Sequence, residues 1–207
     1  MRANVTTETK ITAEEAARQW QSALASMPPE VRAEIEASQA KERARPKIEH
    51  LTPDLLRSFP DDYLEASLIE HIHARLQKSG TEKSALLELP RGLQVFYISY
   101  VVESEVMNGG LNQFFWNSSS QYAELVSPAL RELEAPAAAA LFEQALAVAT
   151  QDIPRISALR KQGTLEAFSN SYKNNPLNEL DEPFCKMALG FSALRLQYAR
   201  CHGDLFF

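Results

Sequence analysis

Two adjacent glycines, Gly109 and Gly110, interrupt the most apolar helical pattern in the chain. Before them Leu93, Phe96, Tyr97, Tyr100, Val101 and Met107 recur at helical spacing, and Val95, Ile98 and Val102 widen the apolar arc. An arc that broad belongs to a helix enclosed by other helices. After them Leu111-Asn112-Gln113-Phe114-Phe115-Trp116-Asn117 sets three aromatic residues among carboxamides. A glycine pair at this place lets the chain leave one helix and enter another within two residues, with Gly109 as the expected left-handed terminator and Gly110 as the turn into the next helix. Both arms of such a corner need helical neighbours to bury them, so the stretch points to an all-α fold.

The flanking sequence fits that frame. Ala13, Ala16, Ala17, Trp20, Ala23, Leu24 and Met27 mark one helix face, with Thr12 and Glu15 spaced as a capping box and Pro28-Pro29 as a stop. Residues 29–45 form a poorly amphipathic helix with nearly balanced charge, read as solvated. Pro46, Pro53 and Pro60 punctuate a linker holding one helical turn. We therefore read residues 1–50 as an N-terminal helical extension and 51–207 as a compact multi-helix domain.

Within that domain a helix begins at Asp61-Asp62 and is expected to end at Ser79-Gly80, and Ser84 to Leu89 forms a further turn. Pro128 kinks or starts the helix through Tyr122, Leu125, Val126, Leu130 and Leu133. Pro136 opens another, and Pro154 is expected to open a shorter one ending at Gly163. Residues 169–180 read as an Asn- and Ser-rich loop, after which Asp181 caps one last helix whose seam is Phe184, Met187, Phe191, Leu194 and Tyr198. No strand-like alternation persists over five residues.

Charge is concentrated. Residues 92–152 hold Glu103, Glu105, Glu124, Glu132, Glu134, Glu143 and Asp152 against Arg131 alone, a net −6 that equals the charge of the whole chain. Phosphates would be repelled there, so direct nucleic-acid binding is excluded for this region and a basic protein surface is the expected partner. Cys185 and Cys201 lie sixteen residues apart in one helical pattern, too far for a disulfide, so reduced thiols in a cytoplasmic protein are expected. Residues 1–12 lack the apolar run of a secretory leader, and no apolar stretch approaches the roughly 20 residues of a membrane span.

Catalytic patterns are thin. His71 and His73 fall on different sides of a helix, the wrong placement for a shared metal, and His50 and His202 have no evident companions. There is no His-Glu-x-x-His, no Gly-x-Ser-x-Gly and no phosphate-cradling glycine loop, so no catalytic residue, metal or cofactor is expected. Glu105, Asn108, Gly109, Gly110, Asn112, Gln113, Trp116 and Asn117 are the candidate binding residues, a polar pocket beside an aromatic wall. The same carboxamides also suit a structural role, with Asn108 and Asn117 capping helix ends and Gln113 tying down the glycine turn. Three consecutive aromatics cannot share one helix face, which leaves one free to reach a surface groove.

The run Glu105-Val106-Met107-Asn108-Gly109-Gly110-Leu111-Asn112-Gln113-Phe114-Phe115-Trp116-Asn117 resembles the signature of the DNA-mimic-protein-nineteen-like family of bacterial helical domains, with Leu111 where that family usually has Phe. Leu180-Asp181-Glu182-Pro183-Phe184, Tyr198 and Phe206 are similar to its closing segment, and the resemblance extends over roughly 61–207. It implies a helical fold and a non-enzymatic protein-binding module, acting as a homodimer, that sequesters a DNA-binding protein or transcription regulator. The acidic face for such a role would be Glu124, Glu132, Glu134 and Glu143. Magnitude argues against full mimicry: a helix from Tyr122 to Leu133 is about 18 Å long and would have to match roughly ten phosphate charges. The alternative function is a small-ligand or peptide pocket at the Asn-Gly-Gly and aromatic motif.

Overall fold

The computed structural model describes residues 12–77 and 82–207. The chain forms two units, Met1–Pro46 and Lys47–Phe207. In the first, α1 (Ala13–Ser26) starts on a complete capping box, in which the Glu15 amide donates to Thr12 Oγ1 and the Glu15 carboxylate accepts from the Thr12 amide. Arg32 of α2 (Pro29–Ala44) donates to the carbonyls of Leu24, Ala25 and Met27, covering the exposed C-terminal end of α1. No residue of α2 is buried, as its weak amphipathicity predicts.

In the second unit the order is α3 (Pro53–Ser58), α4 (Asp61–Leu76), α5 (Glu82–Leu87), α6 (Arg91–Trp116), α7 (Ala123–Glu132), α8 (Pro136–Arg160), α9 (Leu165–Ser171), α10 (Asn178–Ala188) and α11 (Phe191–Cys201). Short 3-10 turns follow α6 at Ser118–Tyr122 and α11 at Gly203–Phe206. Among the described residues there is no strand, so the fold is all-α. The proposed helix end at Ser79-Gly80 lies outside the described residues. None of the described helices is long and apolar enough to cross a membrane.

α6 is the spine. It packs against α4, α7, α8, α10, α11 and both 3-10 turns, and Leu93, Val95, Phe96, Ile98, Val102, Val106, Leu111 and Phe114 along it are buried. Its wide apolar arc is thus consumed on several sides at once. At the far end, the Phe206 ring of the closing 3-10 turn lies 2.4 Å from where a Cβ on Gly92 would stand, so the close approach requires glycine.

Four expectations need correction. Pro154 does not open a helix: α8 runs through it, losing the one N–H that would bond the Thr150 carbonyl, while Ala138, Ala139, Phe142 and Ala145 anchor the helix upstream. The stretch 169–180 is shorter as a loop, because α9, capped by Thr164, runs to Ser171 and α10 begins at Asn178. Asp181 lies inside α10 and caps something else, described below. The last helix is two, broken at Leu189-Gly190, although Phe184 and Phe191 still meet edge to face across the break at 5.9 Å. Cys185 and Cys201 therefore sit on different helices, and both are free thiols.

Candidate binding site

The corner in α6 is made by backbone torsions that the two glycines divide unequally. Gly109 is non-helical but keeps a negative φ (φ −159°, ψ 29°), whereas Gly110 holds φ 72° and ψ −178°. The conformation reserved for glycine therefore belongs to Gly110, not to Gly109 as the terminator pattern suggested. The torsion break removes helical bonds on both sides, and other elements replace them. The Leu111 amide donates to the Asp181 carboxylate at 2.7 Å, so a side chain from α10 serves as N-cap for the second arm of α6. The Tyr172 hydroxyl donates to the Gly109 carbonyl at 2.8 Å. Burial raises the Asp181 pKa, and the Leu111 N–H opposes that rise. A Cβ on Gly110 would stand 2.6 Å from the same carboxylate.

Across the corner, Glu105 ties the arms together. Its carboxylate accepts from Gln113 Nε2 at 2.9 Å, from Asn117 Nδ2 at 2.8 Å and from the Ser119 hydroxyl. Gln113 thus bridges the two arms through the Glu105 carboxylate. Asn117 sits at the C-cap of α6, but its side chain binds Glu105 and makes no cap bond to the following turn. Asn108 is exposed and outside this network. Asn112, 2% exposed, donates to Ser171 Oγ at 2.8 Å and accepts from Asn175 Nδ2 at 2.7 Å. Asn175 is itself fixed by the Ser171 carbonyl and the Leu177 amide. Sequence reasoning missed Asp181, Tyr172, Ser119, Ser171 and Asn175 as partners of the motif. The polar density of 169–180 was the available signal, because buried amides need companions.

The three aromatics diverge. Phe114 is fully buried and meets Phe142 edge to face at 5.3 Å. Phe115 stacks on Phe142 at 5.6 Å, and Trp116 leans on Phe168 at 5.3 Å. Two of them, not one, reach a cleft of about 310 Å³ between this end of α6 and α8. Ala149, Ile153, Ile156 and Arg160 line its other wall. Their steps of four, three and four place them in one stripe about 16 Å long at about 1.5 Å rise per residue. Asn112 and Asn175 contribute polar atoms to the cleft, so the motif that builds the corner also builds part of its lining. Arg160 Nη2 donates to the Phe115 carbonyl, and its guanidinium carbon lies 5.8 Å from the centroid of the Trp116 ring.

The acidic candidates behave differently. Glu132 pairs with Arg91 at 2.5 Å and Glu143 with Arg131 at 2.7 Å. Glu124 and Glu134 are exposed, and Glu134 takes a left-handed conformation (φ 61°) where the chain leaves α7. Of the remaining central carboxylates, Glu103 joins Glu65 of α4 in gripping Arg195, a residue only 1% exposed whose guanidinium lies against the Phe96 and Tyr100 rings, and Asp152 pairs with Arg155 at 2.5 Å. His71 and His73 turn to separate contacts, the Ile48 carbonyl and the Tyr97 ring. Among the described residues no group of His, Cys, Asp and Glu is arranged to hold a metal ion.

No curated protein and no solved structure gives a match to the chain. A family model described as DMP19-like protein matches residues 87–202, which takes in α6 with its corner, the aromatic cleft and the capping Asp181. That is more than half of the sequence, and the chain belongs to the DMP19-like protein family.

Proposed function

We propose that the chain is a non-catalytic binding module whose ligand seat is the cleft between Phe115-Trp116 and the α8 stripe. The observation that carries this reading is a cleft of about 310 Å³ with two aromatic walls, an aliphatic wall and convergent amides. That volume lies at the lower end of small-molecule sites, which run about 300–1,000 Å³ and combine mostly apolar lining with a few placed polar groups. Among the described residues that line it, Asp152 and Arg160 are the ionisable ones, and Asp152 is held by two Arg155 nitrogens. Of the hydroxyls in the lining, Ser120 and Thr150 donate to the Asn117 and Leu146 carbonyls, which supports binding over catalysis.

A face presented to a basic, DNA-binding protein has less support, since ion pairs occupy Glu132 and Glu143 and leave Glu124 and Glu134. Two exposed carboxylates are few beside the roughly one charge per 1.7 Å that duplex DNA carries.

The test uses Trp116 as reporter in a Trp20→Phe background, screened with a library of small aromatic and aliphatic compounds. Compounds that quench Trp116 are expected, and Ala149→Phe, which places a phenyl group in the cleft, should abolish the quenching at unchanged melting temperature. A library without a single binder, or binders that Ala149→Phe leaves untouched, would overturn the proposal. If Glu124→Lys/Glu134→Lys instead abolished capture of a DNA-binding protein, the acidic face would take precedence.

A further inference from the structure

We infer that the cleft takes a small amphipathic carboxylate, with its apolar body between Phe115, Trp116 and Ile153 and its carboxyl group on Arg160. This rests on the proposal that the cleft is the ligand seat and adds the sign of the ligand's charge.

Three observations carry it. First, Arg160 is without a carboxylate partner among the described residues; its protein contacts are the Phe115 carbonyl and the Trp116 ring. Partial burial lowers its pKa with no acidic group opposing the shift, which agrees with that geometry. Second, a guanidinium carries five donors and the Phe115 carbonyl takes one, so a planar pair of N–H groups remains for a bidentate anion. The ring contact with Trp116 and the bond to Phe115 hold the fork in place beforehand, which reduces the ordering cost of binding. Third, the acidic residue in the lining is already committed. Asp152 receives Arg155 Nε at 2.8 Å, and it lies eight residues, about 12 Å of helix, from Arg160. The cleft therefore has an open cationic end and a neutralised acidic end, which favours an anion over a cation or a zwitterion.

Two other features were weaker. The buried Arg195 leaves Nη1 unpaired but lines neither this cleft nor the space of only about 50 Å³ that Cys201 lines beside Leu133, Tyr198 and His202. Neither indicates a ligand.

The experiment titrates the full chain carrying Trp20→Phe with 3-phenylpropanoate, 3-phenylpropanamide and 3-phenylpropylamine, reading Trp116 fluorescence and amide NMR shifts. The acid should bind about tenfold more tightly than the amide, as one charge-assisted bidentate contact warrants, and the amine least. Arg160→Gln should bring the acid to the affinity of the amide and leave the amide unchanged. Because Arg160 is an exposed residue at the end of α8, the variant keeps its fold, which its melting temperature verifies. Equal affinity for acid and amide, or a preference that survives Arg160→Gln, overturns the charge assignment while leaving the cleft as a site. Binding of none of the three, or binding that Ala149→Phe does not abolish, overturns the seat and the charge assignment together.

Discussion

Replacing Gly110 by alanine tests whether the corner in α6 is held as the geometry says. Two costs add. A residue with a Cβ at φ 72° and ψ −178° is strained, by about 1–3 kcal/mol. Its methyl would also stand 2.6 to 2.8 Å from three atoms of the Asp181 carboxylate, so that carboxylate must leave the Leu111 amide, a lost N-cap of about 1 kcal/mol. The expected loss is about 3 kcal/mol, which at an m-value of about 2 kcal/mol/M lowers the urea midpoint by about 1.5 M. Gly109→Ala is the control. There the new Cβ meets the Gln113 amide, which must shift away from Glu105, and the Tyr172 hydroxyl, but at a negative φ. It should cost about 1 kcal/mol. Trp116 fluorescence in the Trp20→Phe background follows unfolding at the corner itself. A double-mutant cycle isolates the carboxylate: with Asp181→Ala already present, the cap is counted once, and Gly110→Ala should cost about 1 kcal/mol less than it does alone. If the two substitutions are strictly additive, or if Gly110→Ala costs no more than Gly109→Ala, the account of the corner is wrong.

Glu105→Ala strands three donors, on Gln113, Asn117 and Ser119, and should cost about 2–3 kcal/mol, against about 1 kcal/mol for Glu105→Gln, which still accepts; equal losses in urea titrations would deny the carboxylate its bridging role. Arg195→Met leaves Glu65 and Glu103 facing each other without a cation and should cost about 3–5 kcal/mol, restored in large part by adding Glu65→Gln/Glu103→Gln; failure of that rescue would mean that packing, not charge, explains the loss. Burial raises the Asp181 pKa above its ordinary 3.8, so the folded chain holds that proton more tightly than the unfolded one. Its contribution is complete below pH 3.8 and is lost as pH rises through the folded value. Asp181→Asn, whose amide oxygen can still accept from Leu111, should therefore gain stability relative to the parent as pH rises from 3.8 through the folded value; a pH-independent difference would contradict the shift.

Much of this architecture was legible because local rules sufficed. The Thr12–Glu15 box, the stop at Pro28-Pro29 and the enclosed helix after Pro90 each depend on residues within a few positions of one another. The misreadings share a cause. A proline inside α8 and a glycine at 190 are local signals whose outcome is set by distant packing: Phe142 and Ala145 hold α8 together before Pro154, whereas Gly190 lets the seam from Phe184 to Phe191 continue on a new axis. The site divides along the same line. Glu105, Gln113 and Asn117 lie within twelve residues, and their mutual bonds follow from the motif. Asp181 is seventy residues from Leu111 and Tyr172 sixty-three from Gly109, and no spacing rule links them.

The charge pattern shows why a window of sequence is a poor guide to a surface. The −6 of residues 92–152 arises because the window excludes the cations that fold onto it. Arg91 lies one residue before it and takes Glu132, Arg155 lies three residues after it and takes Asp152, and Arg195 crosses ninety-two positions to reach Glu103. Only the Glu143–Arg131 pair was visible inside the window. Arg160 is the converse: it belongs to a C-terminal segment whose balance is mildly basic, yet among the described residues no carboxylate neutralises it. A partner that senses charge at short range responds to what pairing leaves over, because exposed charges farther apart than about 10 Å are screened. By that criterion the cleft end at Arg160 is a more specific electrostatic feature than the acidic middle of the chain, and a ligand is better sought by its anion than by its basic surface.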